Sequence, residues 1–311
     1  MGIDNGFWPL YVGAALLFLF AGLRLTSSLY RAGAWRLETL LLRATSNPVR
    51  GLVLGTAAGA LLHSSSAVTV ATVALVGGGL LPLENALGIV LGANIGTCVT
   101  VQFAAWDVVD LGLPLAVGGA LAGLVLRGRY RYLALAVCGL GLIFSALYLF
   151  SLGLSPLTRT AAFARLLEGW GSGVLPAFVA GVAATAVLQS STLFISAVVN
   201  LAEAGLITLP AAVALVLGAN LGTCTDTLLA ALWGNTDARR VALAHLLLNA
   251  LGALVFLPLV PSFTALLEGI SASPGGRVAA GHLLFNAACS LAALPFTPLM
   301  AAWLRKRPRR P

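Results

Sequence analysis

Apolar runs dominate the chain, and each is closed by a short segment carrying arginine or turn residues. Runs long enough to cross a bilayer, about 20 residues, fall near 7–26, 83–105, 111–126, 132–151, 209–232, 241–260 and 279–304, which predicts seven crossings. Two Gly- and Ala-rich stretches, 49–80 and 175–206, break this rhythm. In each, two apolar arms flank a polar tip: His63-Ser64-Ser65-Ser66 in the first and Gln189-Ser190-Ser191-Thr192 in the second. A helical arm of about 14 residues reaches only ~21 Å, short of a ~30 Å hydrocarbon core. A re-entrant hairpin is the natural solution, because non-helical backbone at that depth survives only in protein or against a wet cavity.

The chain also matches itself. At an offset of 126, Gly55–Cys98 aligns without gaps on Gly181–Cys224, with 22 of 44 positions identical. The matches include costly polar residues: Ser64-Ser65 meets Ser190-Ser191, and GANIGTC at 92–98 meets GANLGTC at 218–224. Three predicted crossings separate equivalent points, and an odd number inverts one copy relative to the other. Inverted repeats are typical of secondary transporters, which bind substrate near the midplane between the copies. The expected fold is therefore an all-α polytopic membrane protein of two inverted-topology repeats, each with a re-entrant helical hairpin and an unwound transmembrane helix. Repeat one would cover 1–130 and repeat two, with extra C-terminal helices, 131–304; 305–311 would be a basic cytoplasmic tail.

Composition strengthens this picture. Of 311 residues, 59% are hydrophobic and only 9% charged, with mean hydropathy +0.98, too little charge to cover a water-facing surface. The net charge of +8 does not indicate nucleic acid, because no basic stripe is interleaved with exposed aromatics. With the N-terminus outside, 15 of the 18 Lys and Arg fall on the inner side and only Arg159, Arg165 and Arg277 outside. That bias predicts an N-out, C-in protein of the inner cell membrane. The stretches 29–46 and 155–170 mix Arg, Leu and Trp and are expected to lie along the interface. Cys98, Cys138, Cys224 and Cys289 sit in apolar segments without zinc-type spacing.

The candidate chemistry sits in the repeated motifs. At each tip a second arm begins, presenting unpaired N–H groups and the positive end of a helix dipole. With serine hydroxyls added, such an end suits an oxyanion, so His63, Ser64, Ser65, Ser66, Gln189, Ser190, Ser191 and Thr192 are the candidate substrate-binding residues. In the second motif, two glycines and an asparagine are poor helix formers. Local unwinding there would let Asn94, Thr97, Asn220 and Thr223 ligate a hard cation such as Na⁺; close packing through small residues is the other reading. Asp226 is placed well inside a span, which makes it a candidate cation ligand or proton acceptor; its counterpart in copy one is Thr100. The pairs His245/Asn249 and His282/Asn286 each share a helix face and suit interhelical hydrogen bonding.

These motifs resemble the type II sodium/phosphate cotransporter family: the Q-S-S tip at 189–191 and its imperfect copy at 63–66, GANIGT and GANLGT, GLGLIF at 139–144, and AHLLLN at 244–249. The resemblance implies Na⁺-driven uptake of inorganic phosphate by alternating access, with both tips at the substrate and no cofactor beyond Na⁺ as coupling ion. It implies inorganic phosphate, Na⁺ and membrane lipid as partners, no nucleic acid, and room for a homodimer. His63 stands where the family has Gln, offering an imidazole that can titrate. Cys98 and Cys224 stand where a second Thr is usual, and no C-terminal regulatory domain is expected. Sulfate or proton coupling, an anion channel, and an intramembrane serine hydrolase using His63 and its neighbouring serines are the alternatives. The hydrolase is disfavoured because adjacent residues rarely give nucleophile and base a workable geometry.

Overall fold

The computed structural model describes residues 8–26, 47–105, 108–157, 160–171 and 173–306, and every regular element among them is helical. The interfacial segment expected at 29–46 and the tail beyond Lys306 lie outside these residues. The first half comprises α1 (Trp8–Thr26), α2 (Pro48–Leu62), α3 (Ser65–Gly77), α4 (Leu83–Ala105) and α5 (Gly112–Val125). Then come α6 (Gly128–Leu157), α7 (Ala161–Gly171), α8 (Val174–Leu188), α9 (Ser191–Glu203), α10 (Leu209–Gly222) and α11 (Cys224–Leu232). The chain closes with α12 (Thr236–Phe256), α13 (Val260–Glu268), α14 (Pro274–Ala293) and α15 (Thr297–Lys306). Starts are set locally. Asn47 caps α2 ahead of Pro48, Thr208 caps α10 ahead of Pro210, and Ser273 caps α14 ahead of Pro274, each supplying an acceptor to an orphan N–H where proline needs none.

Among the described residues five segments are long and apolar enough to cross a membrane: Leu83–Phe103, Gly128–Phe150, Leu209–Leu232, Thr236–Phe256 and Pro274–Lys306. The protein is a multi-pass helical membrane protein. The other two expected crossings, 7–26 and 111–126, are helices α1 and α5, and α5 has only 14 residues, or ~21 Å of rise. Helix α7, in the stretch 155–170, has the strongest amphipathic pattern and buries none of its side chains fully.

Several helix pairs approach too closely for side chains, and two of them are related by the internal offset. Helix α2 lies along α4, and α8 along α10. A methyl group added to Gly55 would overlap the Ile89 carbonyl, and one on Gly92 the Leu52 carbonyl. Their counterparts meet the same obstacles 126 residues on: Gly181 faces Leu215 and Gly218 faces Phe178. Gly59 faces the Ala93 carbonyl and Gly222 that of Val182, at 2.8 and 2.7 Å from an added methyl. Spacing by four keeps these glycines on one helix face, and bare backbone lets dispersion and Cα–H contacts act across the seam.

This packing overturns the expectation of an unwound helix. Helix α4 runs without a break through 92–98. In the second copy the helix is interrupted only at Thr223, whose φ of −60° and ψ of −24° remain helical. The glycines lower helix propensity, but burial of their bare faces against α2 and α8 outweighs that penalty of ~1 kcal/mol each. Close packing is what the glycines do here.

Each tip is a two-residue break between helices. His63 closes α2 at φ 52°, ψ 27°, and Gln189 closes α8 at φ 54°, ψ 27°. Among the described residues these are the two non-glycine positions with positive φ. Ser64 and Ser190 follow in extended backbone and accept from Ala67 N and Leu193 N at 3.1 and 3.3 Å. The second arms reach across to the other half. Helix α3 packs on α4, α12 and α11, and α9 packs on α10, α14 and α4. The cores are correspondingly mixed: Leu62, Val68 and Val73 share a cluster with Val241 and Leu304, while Val101 joins Ile195, Leu215 and Val278.

Two outcomes are expected. Gly92→Ala or Gly218→Ala lowers stability by about 3 kcal/mol or more through overpacking, read as loss of a monodisperse peak in detergent; Gly118→Ala, whose methyl would meet nothing within 4 Å, leaves it intact. Gln189→Gly removes a left-handed strain of ~1 kcal/mol and raises the melting temperature, whereas Gln189→Val, β-branched at the same angles, lowers it.

Candidate functional site

Each tip exposes the first turn of a helix. The N–H groups opening α3 and α9 have no helical acceptor beyond the one taken by Ser64 or Ser190, and the helix dipole adds partial positive charge there. The structure brings both tips to one cavity of about 240 Å³, lined by His63, Ser64, Ser65 and Ser66 and by Leu188, Gln189, Ser190, Ser191 and Thr192. Leu16 and Phe20 of α1 and Ile143 of α6 close it with apolar surface. Among the described residues no Lys or Arg lines it, and the polar character they give it comes from hydroxyls, one imidazole, one carboxamide and two helix ends. Eight residues singled out from sequence, contributed by segments 126 positions apart, therefore surround one space.

The two tips are braced differently. His63, buried, bonds through Nδ1 to Thr100 Oγ1 of α4 at 2.7 Å. Gln189, exposed, donates to the Ala186 carbonyl at 2.8 Å and to Thr225 Oγ1 at 3.4 Å. Ser66 donates to Asp226 Oδ2 of α11, joining the first tip to the second half. Asp226 Oδ1 is buried without a protein hydrogen-bond partner. One helical turn deeper, Thr69 meets Thr227 at 3.2 Å, and Thr227 meets His245 Nδ1 at 2.9 Å.

The remaining predicted residues lie apart from the cavity lining. Thr97 donates to the Ala93 and Asn94 carbonyls, Asn220 to Val216 at 2.8 Å, and Thr223 to Ala219 at 2.9 Å, each within its own helix. Asn94 reaches Asn249 Oδ1 at 3.5 Å. With intact helices, the backbone carbonyls near them are engaged rather than turned toward a cation. Of the five candidate cation ligands, Asp226 alone is bonded to a tip. No three His, Cys, Asp or Glu side chains gather into a metal-holding group among the described residues.

Sequence reasoning missed the buried bracing. His245, Thr227 and Thr69 are fully buried; His245 carried the H-x-x-x-N signal, but Thr227 and Thr69 carried none beyond hydroxyls in otherwise apolar helices. The two H-x-x-x-N pairs do bridge helices through His245 to Thr227 and through His282 to Cys98 Sγ at 3.6 Å. Their asparagines bond chiefly inward: Asn249 donates to His245 O and Asn286 to His282 O, both at 3.0 Å.

Comparison with known proteins fits this architecture. The model of the Na+/Pi-cotransporter family matches twice, over residues 17–152 and 149–270, as the internal offset leads one to expect. The uncharacterized protein YqeW of Bacillus subtilis is 32% identical over 264 residues, covering 84% of this chain and 85% of that protein. A putative inorganic phosphate export protein, YjbB of Salmonella typhimurium, is 32% identical over 237 residues, covering 76% of this chain but 44% of its own length. The human sodium-dependent phosphate transport protein 2C is 46% identical over 98 residues, 30% of this chain and 16% of that protein. No solved structure matches significantly. The matching family is one of transporters, not enzymes, and the two similar halves meet at their paired polar tips: the chain belongs to the Na+/Pi-cotransporter family.

Proposed function

We propose that the chain is a sodium-coupled transporter of inorganic phosphate that works by alternating access, with the anion held between the two tips. The observation that carries this reading is the shared cavity, where two helix N-termini and the tip hydroxyls surround one space. A tetrahedral oxyanion needs many donors, and helix ends supply them without a fixed cation that would hold it too tightly to release. The printed names of the matched relatives, phosphate export for YjbB and sodium-dependent phosphate transport for the human protein, agree with phosphate as cargo. Asp226 is the coupling-cation residue that the geometry favours: Ser66 holds one oxygen and the other is free of protein partners. A cation there sits beside the first tip, where it lowers the cost of bringing an anion to Ser65 and Ser66. Asn94, Thr97, Asn220 and Thr223 would join it only if their helices opened.

The inverted arrangement has support in contacts at the helix ends. Glu84, at the start of α4, pairs with Arg305 near the end of α15 at 2.6 Å. Glu203, just before α10, accepts from Gly275 N at the start of α14 at 2.7 Å. Since 274–306 forms one candidate span, α4 and α10 begin at opposite ends of it and run in opposite directions. The short α2–α3 and α8–α9 units then enter from opposite faces as re-entrant hairpins. The positive-inside bias places Arg240 and Arg305 in the cytoplasm of an N-out, C-in inner-membrane protein, and Arg240 does bond the Leu304 and Arg305 carbonyls.

Purified protein in proteoliposomes is expected to accumulate radiolabelled phosphate under an inward Na⁺ gradient, but not with choline or protons replacing sodium. Equal competition by sulfate, or sodium-independent flux, overturns the reading, and outward transport against the gradient would assign export instead. Ser65→Ala and Ser191→Ala each reduce uptake by about ten- to hundredfold, the loss expected for a hydrogen bond to a charged group, while insertion is retained. Asp226→Asn shifts the half-saturating sodium concentration by about tenfold or more; an unchanged sodium curve removes Asp226 from the coupling site.

A further inference from the structure

The buried contact beside the first tip has a direction that its chemistry fixes. Thr69 Oγ1 lies 2.9 Å from the Ser65 carbonyl and 3.2 Å from that of Ser66, both of which only accept, so the Thr69 hydroxyl proton is committed to the tip backbone. Thr227 Oγ1, 3.2 Å from Thr69 Oγ1, must then be the donor to it. That uses the Thr227 proton, so His245 Nδ1 at 2.9 Å must carry the hydrogen and donate to Thr227. A one-way relay runs from His245 through Thr227 and Thr69 to the backbone of Ser65, and it selects the Nδ1–H tautomer of the imidazole. Each of its three side chains is fully buried, where a broken polar chain is costly; the far nitrogen of the imidazole, Nε2, has no protein partner.

The relay exists on one side only. The 126-residue offset carries Thr69 to Ile195 and Thr227 to Val101, and these counterparts are both wholly buried in one apolar cluster. A contact between aliphatic side chains fills space but sets no register; a chain of hydrogen bonds does both.

We propose that His245 is a positioning residue that orients the first tip for its anion through Thr227 and Thr69, whereas the second tip has no buried relay: Gln189 reaches Thr225 from an exposed position, and the positions equivalent to Thr69 and Thr227 are packed as hydrocarbon. The inference rests on the reading that the tips hold the anion, and it assigns a role to three residues that touch no part of the cavity. It also gives the tips unequal parts. The first is aimed, and the second adapts to it.

The test uses Thr227→Val, nearly isosteric and already represented in the fold by Val101, together with Thr227→Ser, which restores the hydroxyl. In Thr227→Val, amide hydrogen exchange over 63–69 is expected to quicken about tenfold, while 189–195 stays unchanged; Thr227→Ser returns 63–69 to wild-type rates. In the transport assay the same variant raises the phosphate KM about tenfold with the maximal rate within about twofold, and Thr69→Val adds little to it because both cut one relay. His245→Asn, whose amide can donate from about the position of Nδ1, retains most of the affinity, and His245→Leu loses it. Unchanged exchange at 63–69 in Thr227→Val, or equal losses in the Val and Ser variants, overturns the relay. If the Thr227→Val exchange effect is seen but the wild-type protein moves no phosphate, the transport reading is overturned and the relay stands.

Discussion

The structure depends on bare backbone pressed against bare backbone. Where α2 meets α4 and α8 meets α10, glycines on one helix face the carbonyls of the other, and no side chain fits between. Lipid tails are as apolar as the helices, so association inside a membrane has little hydrophobic drive and leans on such close contact. These seams hold each first arm rigidly along its neighbouring long helix. The tip at the arm's end is then aimed by packing rather than by the break, which is only two residues long. The left-handed conformation of His63 and Gln189, costly for residues with a Cβ, persists because both flanking helices are already fixed.

Rigid arms let weak forces do specific work at the tips. Neither helix dipole nor hydroxyl is a strong anion ligand alone, but two helix ends converging on one cavity add without bringing a full charge into a low-dielectric region. A lysine or arginine there would bind an anion more tightly and release it more slowly. The charge that is present, Asp226, is offset from the cavity and reaches it through Ser66. On the proposed reading its negative sign opposes an anion unless a cation accompanies it, which favours the cation binding first or together with the anion.

Much of this was legible in the sequence. The polar tips, the offset of 126 and the long apolar runs followed from pattern alone, because the bilayer imposes lengths and punishes misplaced polar groups. Gly92 and Gly96 misled. Low helix propensity is a local property, and the close approach that recruits them to packing depends on α2, which no local pattern pairs with α4. Thr69 and Thr227 were invisible for a related reason: they lie 158 residues apart, and a threonine in an apolar helix is common enough to pass unnoticed; His245 was marked for a bond between helices, but its partner Thr227 was not. Asp226 was found by its charge, but its attachment to Ser66, rather than to Asn220 in its own motif, needed three dimensions.

The unlike seams beside the two tips also bear on how the chain came to be one chain. A primordial half that assembled as a pair would need a surface able to meet its own copy. Here Thr69 and Thr227 meet through hydroxyls, while Ile195 and Val101 lie in one apolar cluster, so exchanging either half for a second copy of the other would pair a threonine position with an aliphatic one. Two copies held in one chain can differ in this way, whereas a symmetric pair of identical halves could not.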